Sequence, residues 1–290
     1  VDEDTGKLNL SIKRLKDAKE VKKKKKYDNG EMSKHIWAPE LHYIDGKWYI
    51  HFAAGREDDI WAIRPYVLEC EADNPLQAEW VEKGEVNIEF ESFSLDATTF
   101  KHQGKRYLIW AQKVNNNTIS NLYIAEMENP WTIKEQKLLS KPEYDWEVIG
   151  FDVNEGPAVI KRNGRIFVAY SASETGHNYC MGLLSADEDS QLLDKDSWHK
   201  KTEPVMQTST ETSLYGPGHN SFTKSEDGVT DLLVYHARPY KEIEGNPLYD
   251  PNRHGRIQEL FWKENGEPYF GYPGLKVEDN IKVRAEVKLK

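Results

Sequence analysis

A hairpin signal recurs four times along this chain at a spacing near sixty residues, and few architectures accept such a repeat. WYIHFAA follows Asp45-Gly46, RYLIWAQ follows Gly104, RIFVAYSAS follows Asn163-Gly164, and DLLVYHAR follows Asp227-Gly228. Each run is β-branched or aromatic at period two after a turn dipeptide, which reads as a strand leaving a tight hairpin. The strands entering the turns also resemble one another: PELHYIDGK, LDATTFKHQGK, EGPAVIKRNGR and GPGHNSFTKSEDG. Gly46, Gly104, Gly164 and Gly228 lie 58, 60 and 64 residues apart. About sixty residues make one four-stranded blade with its loops, so the expected fold is an all-β propeller forming a single domain over residues 1–290. The length corresponds to just under five blades. One spacing upstream of Gly46 falls before residue 1, so the first of five blades is expected to be incomplete. Residues 7–16, KLNLSIKRLK, are expected as a later strand of that blade, and Lys22–Lys26 as a solvated loop or edge.

Composition narrows the function classes. Acids outnumber bases 49 to 39, giving a net charge of -10, and nucleic acid is not an expected partner. No apolar run reaches the length of a membrane span, so no membrane is expected either. The first residues, VDEDTGKLNL, carry no signal-peptide pattern. The sequence therefore fits a cytoplasmic chain, or a secreted or periplasmic one already processed. Cys70 and Cys180 make no disulfide framework or zinc cluster and read as small core residues.

The inner strand of a propeller blade runs beside the axis, and a residue at its mouth faces the funnel. The positions read as equivalent are polar in every repeat: Glu40 in WAPE, Asp96 in SLDATT, Glu155 in NEGPAV and His219 in GPGHNS. Ionisable groups gathered in this way are costly unless they bind something. Paired carboxylates beside aromatic walls suit glycosidic bond cleavage, in which one acid protonates the leaving oxygen and a second group activates water. Glu155 suits the acid, being longer than Asp and followed by Gly-Pro. Asp96 suits the neighbour that tunes it. Trp37 and Trp110 are candidate stacking platforms for a sugar ring.

These residues carry a resemblance. HIWAPELHYIDGKWYIHFAAG (35–55), SLDATTFKHQGKRYLIWAQ (94–112), NEGPAVIKRNGRIFVAYSAS (154–173), GPGHNSF (216–222), YHAR (235–238) and DPNRHGRIQ (250–258) resemble glycoside hydrolase family 43, in the family's order and over essentially the whole chain. The late motifs are most similar to the α-L-arabinofuranosidase branch. The resemblance implies a five-bladed propeller, a funnel-shaped site and hydrolysis with inversion. It implies that Asp96 modulates a pKa and that Glu155 is the acid. It implies no cofactor for the chemistry but a structural ion, calcium or sodium, near a histidine of the central channel. His254 is the metal candidate, with His219 the other. Arg238 is a candidate sugar contact. Phe93, Trp110 and Arg238 are expected to separate arabinosides from xylosides.

One part of the family pattern is absent. The family's base is an Asp in an Asp-Pro motif on the first inner strand, and no Asp-Pro occurs among the 36 residues before Trp37. Asp2 and Asp4 read as a frayed terminus rather than as the base. A fragment, an inaccurate start and a natural form without its base are the three readings of that gap. The leading expectation is an inverting, exo-acting enzyme that releases arabinofuranose from arabino-oligosaccharides or hemicellulose side chains. Its alternatives are a β-xylosidase and a catalytically impaired carbohydrate-binding propeller. The expected partner is an arabinose- or xylose-containing oligosaccharide or polysaccharide.

Overall fold

The computed structural model describes residues 30–76, 78–114 and 120–275. The expectations placed on Asp2, Asp4, residues 7–16 and Lys22–Lys26 lie outside the described residues. The chain forms two compact units. Unit one comprises Val1–Gln112, Ile124–Gln136 and Arg284–Lys290, and unit two Lys113–Tyr123 and Lys137–Val283.

Every sheet is built from strands consecutive in sequence. The first is β1 (Lys34–Ile44), β2 (Lys47–Gly55), β3 (Arg64–Cys70) and β4 (Val81–Glu85), in that order and in unit one. The second is β5 (Ser94–His102), β6 (Lys105–Gln112), β7 (Asn121–Asn129) and β8 (Thr132–Ser140); β5 and β6 belong to unit one. Unit two holds the third sheet, β9 (Asn154–Arg162), β10 (Arg165–Ala172), β11 (Cys180–Asp187) and β12 (His199–Lys200). It also holds β13 (Tyr215–Lys224), β14 (Asp231–Arg238) and β15 (His254–Glu259), followed by the hairpin of β16 (Phe261–Trp262) and β17 (Pro268–Tyr269). The described helical residues are confined to three short 3-10 turns.

The recurring hairpins form as the turn chemistry dictates. Asp45-Gly46, Gln103-Gly104 and Asn163-Gly164 are two-residue loops with both φ angles positive, the type I′ geometry that matches strand twist. The fourth loop is longer, since Lys224 pairs with Asp231. Alternation then sends one face of each strand inward. In unit one, Ile50, Phe52 and Ala54 of β2 pack with Tyr66 and Leu68 of β3 and with Met32. In unit two, Phe167, Ala169, Met181, Leu183, Leu233 and Tyr235 form the centre of a second core. Burying each large side chain contributes roughly 1.5–3 kcal/mol. Cys70 and Cys180 are buried thiols, as the sequence suggests, and burial pushes Cys180 up to about 12.

The first strand of each of the four larger sheets carries a β-bulge near its start, with two residues facing one on the partner strand. In β1 the bulge lies between Trp37 and Glu40, and in β5 between Leu95 and Thr98. In β9 it lies between Glu155 and Ala158, and in β13 between Gly218 and Ser221. The residue after the last regular pair takes a left-handed backbone each time: Ala38 (φ 44°), Asp96 (56°), Gly156 (56°) and His219 (46°). Bulges bend a strand and re-aim its side chains, and the left-handed residue makes that bend. This register corrects the sequence reading. Glu40 pairs with His51 beyond its bulge, so it matches Thr98, Ala158 and Ser221 rather than Asp96 or His219. Glu155 precedes its bulge and matches Trp37, Leu95 and Gly218, so it too is one place away from Asp96 and His219. An acid near the start of an inner strand does not by itself show on which side of the bulge it lies.

Candidate active site

In unit two, Glu155 is the last regular residue before its bulge, paired with Ser171, and its side chain is half-buried. Tyr179 donates its hydroxyl proton to Glu155 Oε1 at 2.6 Å. The Tyr179 ring stacks on His236, with centroids 5.5 Å apart and planes 8° from parallel. Burial, aided by His219 and two arginines, pulls His236 down to about 3, so this ring is neutral at ordinary pH.

The motif GPGHNS is explained by this packing. A Cβ on Gly218 would lie 2.3 Å from the Tyr179 ring, and one on Gly216 would lie 2.2 Å from the Gly176 carbonyl oxygen. The next residue, His219, donates its backbone N–H to Ser171 Oγ at 2.7 Å, and its ring lies against Gly156. A side chain at Gly156 would crowd that ring at 3.3 Å, which accounts for the glycine after Glu155.

The residue before Glu155 is clamped. Asn154 Nδ2 donates to Glu147 Oε1 at 2.8 Å, and its Oδ1 accepts from Ser140 Oγ at 2.7 Å. Its backbone exchanges hydrogen bonds with Ser120. Glu147 is fully buried and also accepts from Tyr170, Lys200 and the Glu143 and Tyr144 amides. Burial pulls the Lys200 ammonium below its ordinary value, opposed by its ion pair with Glu147 at 2.8 Å. A buried ion pair is kept only when its remaining lone pairs and protons are satisfied, as these are.

In unit one, Asp96 is the left-handed residue of the β5 bulge and is 6% exposed. Asp and Asn tolerate that backbone better than most side chains. Phe93 lies just before β5 in a loop tied down by Gln112 Nε2, which donates to Phe90 O and Ser92 Oγ.

The model of glycosyl hydrolases family 43 matches residues 10–268. The chain belongs to this family. An extracellular exo-α-(1->5)-L-arabinofuranosidase of Streptomyces avermitilis is 55% identical over 86% of this chain and 52% of its own. An α-L-arabinofuranosidase 43 of Humicola insolens is 53% identical over 84% of this chain and 51% of its own. The family-43 chain thus spans about half the length of these relatives. The crystal structure of an α-L-arabinofuranosidase from Lactobacillus brevis, 52% identical, matches with a TM-score of 0.82 over 86% of this chain and 80% of that one. The fold class is the all-β propeller expected from the repeat.

Within this family-43 chain the other candidates separate by environment. Trp37 is half-buried and stacks on His35 at 4.4 Å, with Trp61 edge-on at 6.2 Å. It remains partly exposed. Trp110 does not: it is fully buried, and its indole N–H donates to Gln112 Oε1 at 3.0 Å. It lies on β6, the second strand of its sheet, and buttresses the Phe93 loop from within. Arg238 is 1% exposed and donates to the Thr175 and Pro247 carbonyls beside Asp250 at 3.4 Å. That is a structural ion pair, and the side chain presents no free face to a sugar. Glu40 Oε2 accepts from His42 Nε2 at 3.0 Å. His254 is exposed at the start of β15, paired with Ala237, on the third strand of its sheet. His219 lies on the inner strand. Among the described residues, neither unit by itself gathers three His, Cys, Asp or Glu ligand atoms at one point. Tyr179, His236 and Glu147 are not singled out by the sequence; the glycines of GPGH, one of which makes room for the Tyr179 ring, are the available signal.

Proposed function

We propose that the chain acts as an inverting, exo-acting α-L-arabinofuranosidase on arabino-oligosaccharides or arabinose side chains. The observation that carries the chemistry is Glu155, fixed at a bulge of the third inner strand by the Asn154 clamp and the Tyr179 hydroxyl. The arabinoside branch is supported by more than 50% identity to two arabinofuranosidases. Glu155 acts as general acid: its proton passes to the glycosidic oxygen as the bond to the anomeric carbon breaks. Water attacks the opposite face and gives up its proton to a base. Asp96 acts as the carboxylate whose charge keeps the acid protonated until the leaving oxygen takes the proton. No described residue is assigned as the base. The chemistry asks for no cofactor. The expected calcium or sodium ion remains part of the proposal, with His254 its candidate ligand and His219 the other.

Turnover of 4-nitrophenyl α-L-arabinofuranoside and β-D-xyloside, with Glu155→Gln as control, tests this reading. Arabinose release that Glu155→Gln abolishes is the expected result. Faster release of xylose moves the assignment to a β-xylosidase. Sugar binding without product from the wild-type chain replaces the enzyme with a binding propeller.

A further inference from the structure

The general acid of a glycosidase must hold its proton on one particular oxygen, aimed at the leaving group. In Glu155 one of the two oxygens is held by a named partner. Oε1 accepts the Tyr179 hydroxyl at 2.6 Å, at the short end of the O–H···O range. A hydroxyl has one proton to donate. The ring carrying it is 1% exposed, with the flat face of His236 on one side. The missing side chain of Gly218 leaves room for its edge. Neither ring nitrogen of His236 has a hydrogen-bond partner among the described residues, so this histidine serves as a wall rather than a proton donor. Three chain segments thus hold one phenol against one carboxylate oxygen.

We propose that Tyr179 is the positioning residue of the general acid: its hydroxyl holds Oε1 of Glu155 and so sets the orientation in which the carboxyl meets the leaving oxygen. The inference rests on Glu155 being the acid. In turnover the Glu155 proton goes to the glycosidic oxygen, which also takes the bonding pair from the anomeric carbon, while the Tyr179 proton stays where it is. Removing the hydroxyl takes away the contact that orients the carboxyl toward the leaving oxygen.

The consequence depends on the leaving group. An arabinose leaving group needs the proton, whereas a 2,4-dinitrophenolate leaves without it. Tyr179→Phe keeps the ring, its stack on His236 and the fit above Gly218. It should lower kcat on arabinobiose about ten- to a hundredfold and leave 2,4-dinitrophenyl α-L-arabinofuranoside within about threefold, with KM little changed on both. An equal loss on both substrates, or none on arabinobiose, overturns the proposal. Glu155→Gln in the same assays separates the two levels. If it leaves the arabinobiose rate intact, the acid assignment fails and the positioning role with it. A readout free of turnover uses protein labelled with 13C at tyrosine Cζ. The resonance missing in Tyr179→Phe should move in Glu155→Gln, and a resonance that stays in place overturns the contact.

Discussion

Two carboxylates of this chain look alike in the sequence and differ in how they are held. Glu40 in unit one accepts a hydrogen bond from His42, two residues along the same strand, with buried His51 edge-on behind it at 5.3 Å. Glu155 in unit two accepts one from Tyr179, with buried His236 face-on behind that ring. Both rear histidines are pulled down to about 3 by burial. Glu40 meets its partner because residues i and i+2 share a strand face, and nothing else in the fold is needed to bring them together. Glu155 depends on a bulge, a glycine slot on β13 and a clamp on Asn154. The first arrangement is local; the second is assembled from distant segments, as a reactive group requires if its geometry is to be fixed.

Substitutions sharpen that contrast. The largest effect is expected on the rate with arabinobiose. Glu155→Gln should lower kcat about a hundred- to ten-thousandfold, and Glu40→Gln by less than about threefold. Similar losses from both would remove the distinction. Glu147→Ala leaves Lys200 buried without its main carboxylate and should cost about 3–5 kcal/mol in a denaturant titration. Because Asn154 loses its partner too, activity measured well below the melting temperature should also fall, and full activity there would make Glu147 a stability element only.

Glycines give the next test. Gly218→Ala pushes a methyl into the Tyr179 ring, and activity on arabinobiose should drop at least tenfold. Gly46→Ala meets nothing within 4 Å but sits at φ 85°, so it should cost about 1 kcal/mol of stability and no activity. The smallest effect concerns pH. His51 and His236 titrate near 3 when folded and near 6.5 when unfolded, so below about pH 6.5 the unfolded chain binds protons that the folded chain does not. Their contribution is complete above that pH and is lost as pH falls toward 3, at about 2 kcal/mol for each histidine by pH 5. The melting temperature should therefore drop between pH 7 and pH 5, and drop less in His236→Phe; an equal drop would clear His236.

Much of this was legible in the sequence for physical reasons. Asp45-Gly46, Gln103-Gly104 and Asn163-Gly164 demand positive φ, so their hairpins and spacing could be read directly. Asp96 and Glu155 stood out because acids recur where inner strands begin. Glu40 resembles them only as an acid near the start of an inner strand, and residue type alone does not fix its place relative to the bulge. Trp110 read as a sugar platform because alternation does not tell the second strand of a sheet from the first. Tyr179 and Glu147 come from segments outside the strands, where no periodicity marks a side chain as buried. Their roles appear only once strands far apart in sequence are brought together.

The most direct test of Glu155 as general acid is the leaving-group dependence of its removal. The ratio of wild-type to Glu155→Gln kcat is measured across aryl α-L-arabinofuranosides, from phenyl through 4-nitrophenyl to 2,4-dinitrophenyl. The account predicts a ratio that is large for phenyl and falls toward one as the phenol becomes more acidic. A ratio that stays the same across the series would show that Glu155 does not protonate the leaving oxygen.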